Sequence, residues 1–399
     1  MKPIQVLHPS FSRSPRFATL PPLSIYIHLP WCVRRCPYCD FNAHVAPDNL
    51  PEQAFFEALK ADLEQALPEI WGRTVQSVFF GGGTPSLMSA EFIHKVLSLV
   101  RAYVMLNPDA EITMEANPGA SEAGRFAGYA QAGVNRLSIG VQSFDDAVLE
   151  KIGRIHDADQ ARQALRAALQ AVERVNVDLM YALPGQSAED CIRGVQEAID
   201  SGATHLSIYH LMIEPNTVFA KYTPALPSEE EGALMHDQII AAVGQAGFEH
   251  YEVSAFARQE HYGWHNINYW SFGDYLGIGP GAHSKISFPN RIERMVRLSN
   301  PGSWMAAVHK GKHITERYEV TAKDIPFEFM LNALRLKKGV PFEYFSERTG
   351  FSSQLIHKTV QQAIDQGLMV DRLDKLQATE QGWRFLTDLQ TLFLPTSPN

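Results

Sequence analysis

The chain has 399 residues, 45% of them hydrophobic, and a formal net charge of -9 with an isoelectric point near 5.9. This length and composition predict a globular protein with one large domain and a smaller one. The acidic balance argues against broad nucleic-acid binding, which depends on a basic surface. No window has the ~18 uninterrupted apolar residues expected of a membrane span. We therefore expect a cytoplasmic protein.

Residues 1–20 form a basic segment that is interrupted by prolines. Lys2, Arg13 and Arg16 carry its charge. The prolines break any amphipathic helix of the kind found in transit peptides, so we predict a flexible basic leader. Such a leader leaves a weak peripheral contact with the anionic lipid of an inner membrane open.

Three of the four cysteines lie close together behind a strand-like segment that ends at a proline. Cys32, Cys36 and Cys39 have the spacing CxxxCxxC. Without a secretory signal a disulfide framework is not expected, so the spacing predicts a metal site. A closed zinc site needs four ligands, whereas a 4Fe-4S cluster on three thiolates keeps one iron free for an outside ligand. A zinc site completed by His28 or His44 remains the alternative.

The following segments alternate between helix and strand. Helical patterns cover residues 51–67, 89–100, 121–132, 157–173 and 188–200, and strand patterns cover residues 75–80, 111–116, 136–141, 175–183 and 205–211. With the first strand, this order gives at least six β/α units, which is typical of a parallel sheet with helices on its outside. Residues 21–211 therefore predict an α/β partial barrel.

Polar and glycine-rich residues follow the predicted strands. They comprise the cysteine loop, the sequence GGGTP at residues 81–85, Glu115, Gln142 and Asp178. In such folds, reactive groups gather at the carboxyl ends of the strands. We expect these residues to form one site.

The remaining chain changes in character twice. Residues 212–320 are rich in aromatic residues and glycine, and we interpret them as an extension that covers the open end of the barrel. Residues 321–399 read as a compact helical module with a small hairpin, in the order of a winged helix. Its residues 341–378 carry four basic and five acidic side chains, which favours a packing or gating role over DNA binding.

The CxxxCxxC loop, with an aromatic residue before its last cysteine, resembles the cluster loop of radical S-adenosylmethionine (SAM) enzymes. The additional motifs GGGTP, EANP and DLMYALPGQ resemble the radical SAM group related to oxygen-independent coproporphyrinogen III oxidase. The resemblance covers nearly the whole chain. It implies a (β/α)6-type barrel, a 4Fe-4S cluster and SAM bound at the free iron, where reductive cleavage yields an adenosyl radical.

Matched by motif, the resemblance assigns the cluster to Cys32, Cys36 and Cys39, and contacts with SAM to Tyr26, Tyr38, Gly82, Gly83, Thr84, Glu115, Gln142, Arg154, Asp178 and Met212. Each residue taken alone has an ordinary structural alternative, such as a tight turn, a helix cap or a surface charge. Their succession at strand ends favours the SAM site. Cys191, within a predicted helix, reads as a buried structural thiol.

Two features separate the chain from the oxidases of this group. The oxidases carry a fourth cysteine in the pattern CxxxCxxCxC, whereas this chain has Phe41 at that position. Residues 265–270 read HNINYW, which fits the HNxxYW pattern of the heme chaperones in the group. The resemblance therefore implies that His265 is a heme ligand, since a neutral imidazole can bind heme iron. His283 could instead line the cavity.

We predict a radical SAM heme chaperone, resembling the HemW type, that delivers heme to respiratory proteins, as a monomer or a heme-dependent dimer. Coproporphyrinogen oxidase activity is not expected, although SAM cleavage remains open. The alternative is an oxygen-independent coproporphyrinogen III dehydrogenase that decarboxylates its substrate to protoporphyrinogen IX.

Overall fold

The computed structural model describes residues 14–119 and 123–395. Most of the strands in this part of the chain belong to one mixed sheet. Its strands are β1 Leu23–Leu29, β2 Thr74–Gly82, β3 Met105–Ala116, β4 Arg136–Gln142, β5 Arg174–Tyr181, β6 His205–His210, β7 Glu249–Glu252, β8 Ala255–Ala257, β9 Asp274–Ile278, β10 His283–Phe288, β11 Arg291–Arg297 and β12 Ile314–Glu319. Their spatial order is β12-β11-β10-β9-β1-β2-β3-β4-β5-β6-β8-β7.

The centre of this sheet is parallel. The strands from β9 through β1 to β6 pair in parallel, and the flanking strands add antiparallel edges. The predicted α/β fold with a parallel sheet is confirmed, including its six parallel strands in chain order. The pairing of β9 with β1 was not predicted, and it places a parallel neighbour on each side of β1.

The described residues also form helices, several of which cover the outside of the parallel strands. Their bounds are α1 Glu52–Ile70, α2 Ala90–Tyr103, α3 Phe126–Ala132, α4 Asp146–Lys151, α5 Ala158–Ala171, α6 Ala188–Asp200, α7 Val218–Lys221, α8 Glu229–Gln245, α9 Trp264–Trp270, α10 Pro301–Val308, α11 Ile325–Ala333, α12 Tyr344–Thr349, α13 Gln354–Asp365, α14 Glu380–Arg384 and α15 Leu386–Thr391. Ser89 caps α2 by accepting a hydrogen bond from Phe92 N. Among the described residues, no helix has the length and apolarity to cross a membrane.

An apolar cluster that is separate from the main core of the sheet lies beneath the C-terminal helices. It includes Phe329, Phe345 and Ile356, and it continues to Phe272 behind α9. Residues 14–20 of the predicted leader run along this module, where Arg16 N donates a hydrogen bond to Gly350 O. Residues 1–13 of that leader lie outside the described residues. The limits assigned to the leader, barrel, extension and C-terminal domain stay predictions.

A buried ionic cluster joins α1 to the sheet extension. Asp62 lies within 2.8 Å of Arg297 Nε and 3.1 Å of His313 Nε2, and it accepts a hydrogen bond from Gly279 N. Burial alone would raise the pKa of Asp62, but Arg297 and His313 outweigh it and hold the pKa below its usual range. The carboxylate therefore stabilises the fold in its charged form.

We expect Asp62→Ala to lower the free energy of unfolding by about 3–5 kcal/mol, because it leaves a buried guanidinium without its partner. Urea unfolding followed by circular dichroism measures this change. Asp374→Ala is the control, since its pair with Arg372 is exposed and its removal should leave the midpoint unchanged within error. Equal effects of the two substitutions would contradict the assigned role of Asp62.

Candidate functional site

A cavity of about 360 Å³ opens at the carboxyl ends of the parallel strands. Its walls include the cysteine loop after β1 and the ends of β2 to β6. The sequence-predicted residues that line it are Cys32, Cys36, Tyr38, Cys39, Gly82, Gly83, Thr84, Glu115, Gln142, Arg154, Asp178 and Met212. This volume lies within the range of small-molecule sites, and the residues expected to form one site line one open cavity.

The three loop cysteines are free thiols of intermediate burial on the cavity wall. Thr84 Oγ1 donates a hydrogen bond to Cys32 Sγ at 3.3 Å, and Arg154 Nη1 lies 3.8 Å from Cys36 Sγ. Burial raises the pKa of Cys32 and Cys39, while the hydrogen bond from Thr84 opposes this effect at Cys32. Hydroxyl and guanidinium donors aimed at sulfur stabilise thiolate, the form that binds metal.

The glycines at the end of β2 allow this strand to pack closely against β1 and the segment that follows β1. A Cβ on Gly82 would lie 2.6 Å from the His28 ring, and one on Gly83 would lie 2.7 Å from the Pro30 backbone. Gly82 has a φ of +118°, which favours glycine. The prediction that these glycines admit SAM is compatible with this packing, but the immediate requirement comes from the neighbouring strand and loop.

Two carboxylates face the cavity, Glu115 from β3 and Asp178 from β5, with β4 between these strands. Glu115 accepts a hydrogen bond from Gly82 N at 3.1 Å, and Asp178 accepts hydrogen bonds from Ser138 Oγ and Asn176 Nδ2 at 2.9 and 2.8 Å. Burial, followed by the nearby Asp178, raises the pKa of Glu115 to about 8. Burial also raises the pKa of Asp178. These groups would accept hydrogen bonds from a cationic or hydroxylated ligand.

Arg154 enters the cavity from the segment after α4. Its Nη2 donates hydrogen bonds to Asn117 Oδ1 at 2.8 Å and Gly140 O at 2.6 Å. Its buried Nε has no hydrogen-bond partner among the described residues. An orphaned buried donor beside three thiols fits an anionic ligand in this space. Gln142, with a φ of +68°, ends β4 beside it.

The two predicted tyrosines differ in position. Tyr38 lines the cavity, whereas Tyr26 lies outside the cavity wall and donates a hydrogen bond from its hydroxyl to His28 Nδ1. Burial raises the pKa of both phenols. Met212 is 64% exposed at the mouth of the cavity, and Asp178 lies on the cavity wall below.

Asn117 has a role that the sequence-based site assignment omitted. It donates a hydrogen bond to Thr84 Oγ1 at 3.1 Å and accepts one from Arg154, so it joins the end of β2 to the guanidinium. Its place directly after Glu115 and Ala116 was the available signal. Ser138, within β4, also lines the cavity, and nothing in its apolar strand pattern marked it.

The histidines proposed for a zinc site have other partners. His28 Nε2 donates a hydrogen bond to Asn42 O, while its Nδ1 accepts one from Tyr26. His44 Nε2 lies 3.0 Å from Asn42 Oδ1. Both ring nitrogens of His28 are therefore engaged, whereas the contact of His44 uses one of its two ring nitrogens. Cys191 is buried on α6, as expected of a structural thiol.

His265 lies far from this cavity, on α9 at the amino ends of the strands. Its Nδ1 is 2.9 Å from Ser77 Oγ, and its backbone N donates a hydrogen bond to Glu111 Oε1 at 2.9 Å. Ser77 precedes Gly82 by five residues, which corresponds to roughly 16 Å along a strand. The side chain is 8% exposed, and burial lowers its pKa to about 4. His283 is exposed and is not among the cavity-lining residues.

Comparisons with known proteins place the fold and the sequence in the same group. The model of the radical SAM superfamily matches residues 26–197, and that of the HemN C-terminal domain matches residues 320–385. Heme chaperone HemW of Escherichia coli is 44% identical, over 94% of this chain and 99% of that protein. Heme chaperone HemW of Haemophilus influenzae is 42% identical, over 94% and 98% of the two chains.

The solved structure of coproporphyrinogen III oxidase (HemN) from Escherichia coli superposes with a TM-score of 0.79. It covers 94% of this chain and 90% of that chain at 22% identity. At this identity the likeness concerns the fold. It includes the C-terminal region as well as the barrel.

The raised pKa of Glu115 predicts that stability falls with pH. In the unfolded chain this carboxyl ionises near its ordinary value of about 4.3. In the fold it stays protonated until about pH 8, so the free energy of unfolding should decrease as pH rises from about 5 through 8. Urea unfolding at several pH values should show a flatter profile for Glu115→Gln. Glu189→Gln, at an exposed position, should retain the wild-type slope, and an unchanged slope in Glu115→Gln would contradict the assignment.

Proposed function

Because the chain belongs to the HemW family of radical SAM proteins, we propose that it is a heme chaperone that binds a 4Fe-4S cluster, SAM and heme. Its task is the delivery of heme to respiratory and other heme proteins. The observation that carries the cofactor part is the convergence of three loop cysteines, two strand-end carboxylates and Arg154 on one cavity. The heme part is supported by the family and by the environment of His265.

The cavity residues divide the binding of cluster and SAM between them. Cys32, Cys36 and Cys39 hold the cluster, and Thr84 and Arg154 stabilise two of the sulfurs through the contacts described above. When bound, the cluster supplies an electron to SAM. The partnerless Nε of Arg154 is available to the methionine carboxylate. Its position is fixed by hydrogen bonds to two strand ends, which limits the rotamer entropy lost on binding.

The carboxylates bind the other polar groups of SAM. Glu115 and Asp178 accept hydrogen bonds from the ammonium and ribose hydroxyl groups, and Gln142 offers both a donor and an acceptor. Tyr38 and Met212 supply apolar surface near the sulfonium and adenine. A cationic ligand would also lower the raised pKa of Glu115, so binding and proton release should be linked.

The hydrogen bonds of His265 leave one nitrogen for heme iron. Ser77 Oγ donates to Ser24 Oγ, so the Nδ1–H of His265 donates to Ser77. No hydrogen bond of Nε2 occurs within the described part of the chain. Because burial keeps the ring neutral at pH 7, Nε2 carries the lone pair that an axial ligand requires. Trp264, 47% exposed, precedes it on the outer side of α9.

The chaperone activity is favoured over coproporphyrinogen dehydrogenation by residues of this chain. Phe41, 62% exposed on the cavity wall, occupies the position of the fourth oxidase cysteine. The HNxxYW motif is present and forms α9. The relatives named as heme chaperones align over almost their whole lengths, whereas the oxidase supports the fold alone.

The heme acceptors, the heme-dependent dimer and the peripheral membrane contact belong to the same proposal. The acidic net charge leaves the basic residues of the leader as the attraction to an anionic surface. A weak reversible contact would suit heme delivery to acceptors in a membrane.

We expect the triple variant with Cys32, Cys36 and Cys39 replaced by serine to lose its iron. Wild-type protein reconstituted without oxygen should contain about four irons per chain, as a 4Fe-4S cluster requires. Cys191→Ser is the matched control and should keep full iron content, because Cys191 is buried on α6. Retention of iron by the triple variant would refute the cluster site.

We expect His265→Ala to weaken heme binding by at least about 10-fold, since it removes the proposed axial ligand. An anaerobic heme titration of the reconstituted protein, followed by Soret absorbance, measures the affinity. His283→Ala removes an exposed histidine and should bind heme like the wild type.

Heme binding that is indifferent to His265 would refute the ligand while leaving the chaperone function standing. An absence of heme binding would refute the chaperone function. In that case turnover of coproporphyrinogen III to protoporphyrinogen IX, with SAM consumed, becomes the decisive assay.

A further inference from the structure

A chain of buried side chains connects the cavity to the opposite end of the barrel. Asp178 Oδ1 accepts a hydrogen bond from Asn176 Nδ2 at 2.8 Å, and Asn176 Oδ1 lies 2.6 Å from His205 Nδ1. His205 Nε2 lies 2.7 Å from the hydroxyl of Tyr251, which accepts a hydrogen bond from Gly263 N at 3.1 Å. The three middle side chains are at most 5% exposed. Gly263 is the residue before α9.

The hydrogen bonds of this chain have one direction. The carbonyl oxygen of Asn176 can only accept, so His205 carries its proton on Nδ1. Burial keeps His205 neutral by lowering its pKa, and its Nε2 therefore accepts the proton of the Tyr251 hydroxyl. With Gly263 N–H donating to the same hydroxyl, every donor is oriented from α9 towards Asp178.

The side-chain amide of Asn176, at the centre of the chain, has no unused hydrogen-bonding capacity. Asn176 uses both hydrogens, on Ser138 and Asp178, and both lone pairs, for His205 and Ser207. A buried donor or acceptor that loses its partner is destabilising. If the Asp178 carboxylate shifts, we therefore expect its hydrogen-bonded neighbours to move with it, because breaking the hydrogen bonds would cost more.

The receiving end is the helix that bears His265. Beside the Gly263 bond, Glu111 accepts hydrogen bonds from Trp264 N and His265 N at 3.1 and 2.9 Å. The amino end of α9 is thus held almost entirely by side chains from the barrel interior. A change in one of these anchors alters the position or the fraying of its first turn.

We propose that His205 and Tyr251 are positioning residues that couple occupancy of the cavity at Asp178 to the first turn of α9. The coupling rests on the proposed function, in which Asp178 contacts SAM and α9 presents a heme ligand. SAM bound at one end of the barrel then changes the affinity for heme at the other, and the reverse holds to the same degree.

Hydrogen–deuterium exchange of the full-length protein, reconstituted with its cluster under anaerobic conditions, tests the coupling without heme. We expect added SAM to slow exchange in peptides that contain residues 263–267 by at least about 5-fold, at the lower end of ordinary allosteric coupling. Peptides that contain Asp178 report the binding itself. Tyr251→Phe, which deletes only the shared hydroxyl, should keep the protection near Asp178 and reduce that of α9 to less than about 2-fold.

Two further variants separate coupling from packing. Tyr262→Phe removes a hydroxyl that bonds to Glu249 from the ring next to Tyr251, and it should respond like the wild type. His205→Gln keeps one hydrogen-bond donor for Asn176 and one acceptor for Tyr251, so it should retain most of the coupling. His205→Leu has neither group and should lose the coupling.

The outcomes distinguish this inference from the function on which it rests. Protection near Asp178 without any effect on α9 in the wild type would overturn the coupling and leave both binding sites standing. Equal protection of α9 in the wild type and Tyr251→Phe would overturn the assigned path. Protection at neither place would refute SAM binding at this cavity, and with it the coupling.

Discussion

The parallel pairing of β1 with both β2 and β9 is the constraint on which the rest of the structure depends. It places the strand that precedes the cysteine loop inside the sheet, where both of its edges are hydrogen-bonded. The cysteine loop therefore starts from a fixed position at the carboxyl end of β1, beside the ends of β2 to β6. Gly82 and Gly83 are required by this arrangement, because a side chain at either position would collide with β1 or the segment after it. The chemistry of the cavity follows from a packing requirement of the sheet.

The interior of the barrel shows a second consequence of this geometry. Side chains from neighbouring parallel strands meet at similar heights, so a polar residue on one strand needs a polar partner on the next. Ser138, Asn176 and Ser207 meet this requirement on three successive strands. At the amino ends, Glu111 balances the charge of Arg174 at 2.9 Å and also binds α9. The barrel therefore has a cavity at the carboxyl ends of its strands, a layer of polar side chains in the middle and α9 at the amino ends.

Much of this arrangement could be predicted from the sequence, and the limits have physical causes. The cysteine loop, Glu115 and Gln142 were predictable because each follows an apolar strand, and parallel strands bring such positions to one edge. β9 could not be assigned to its place beside β1, since nothing in its five residues records a pairing across about 250 positions of chain. Asn176 lies inside β5 and His205 begins β6, so their hydrogen bond becomes visible only when the two strands are adjacent. The environment of His265 was likewise hidden, because its partners Ser77 and Glu111 belong to distant strands.

The position of β9 also has a consequence for synthesis of the chain. β1 is synthesised about 250 residues before β9, so one of its edges stays unpaired until residues 274–278 have been made. At ordinary translation rates of about 5–20 residues per second, the interval is roughly 12–50 s. During this time an apolar edge strand and the three thiols of the cysteine loop are exposed together, which favours aggregation and oxidation. Early occupation of the thiols, or a chaperone that covers the edge, would protect the nascent chain until the sheet closes.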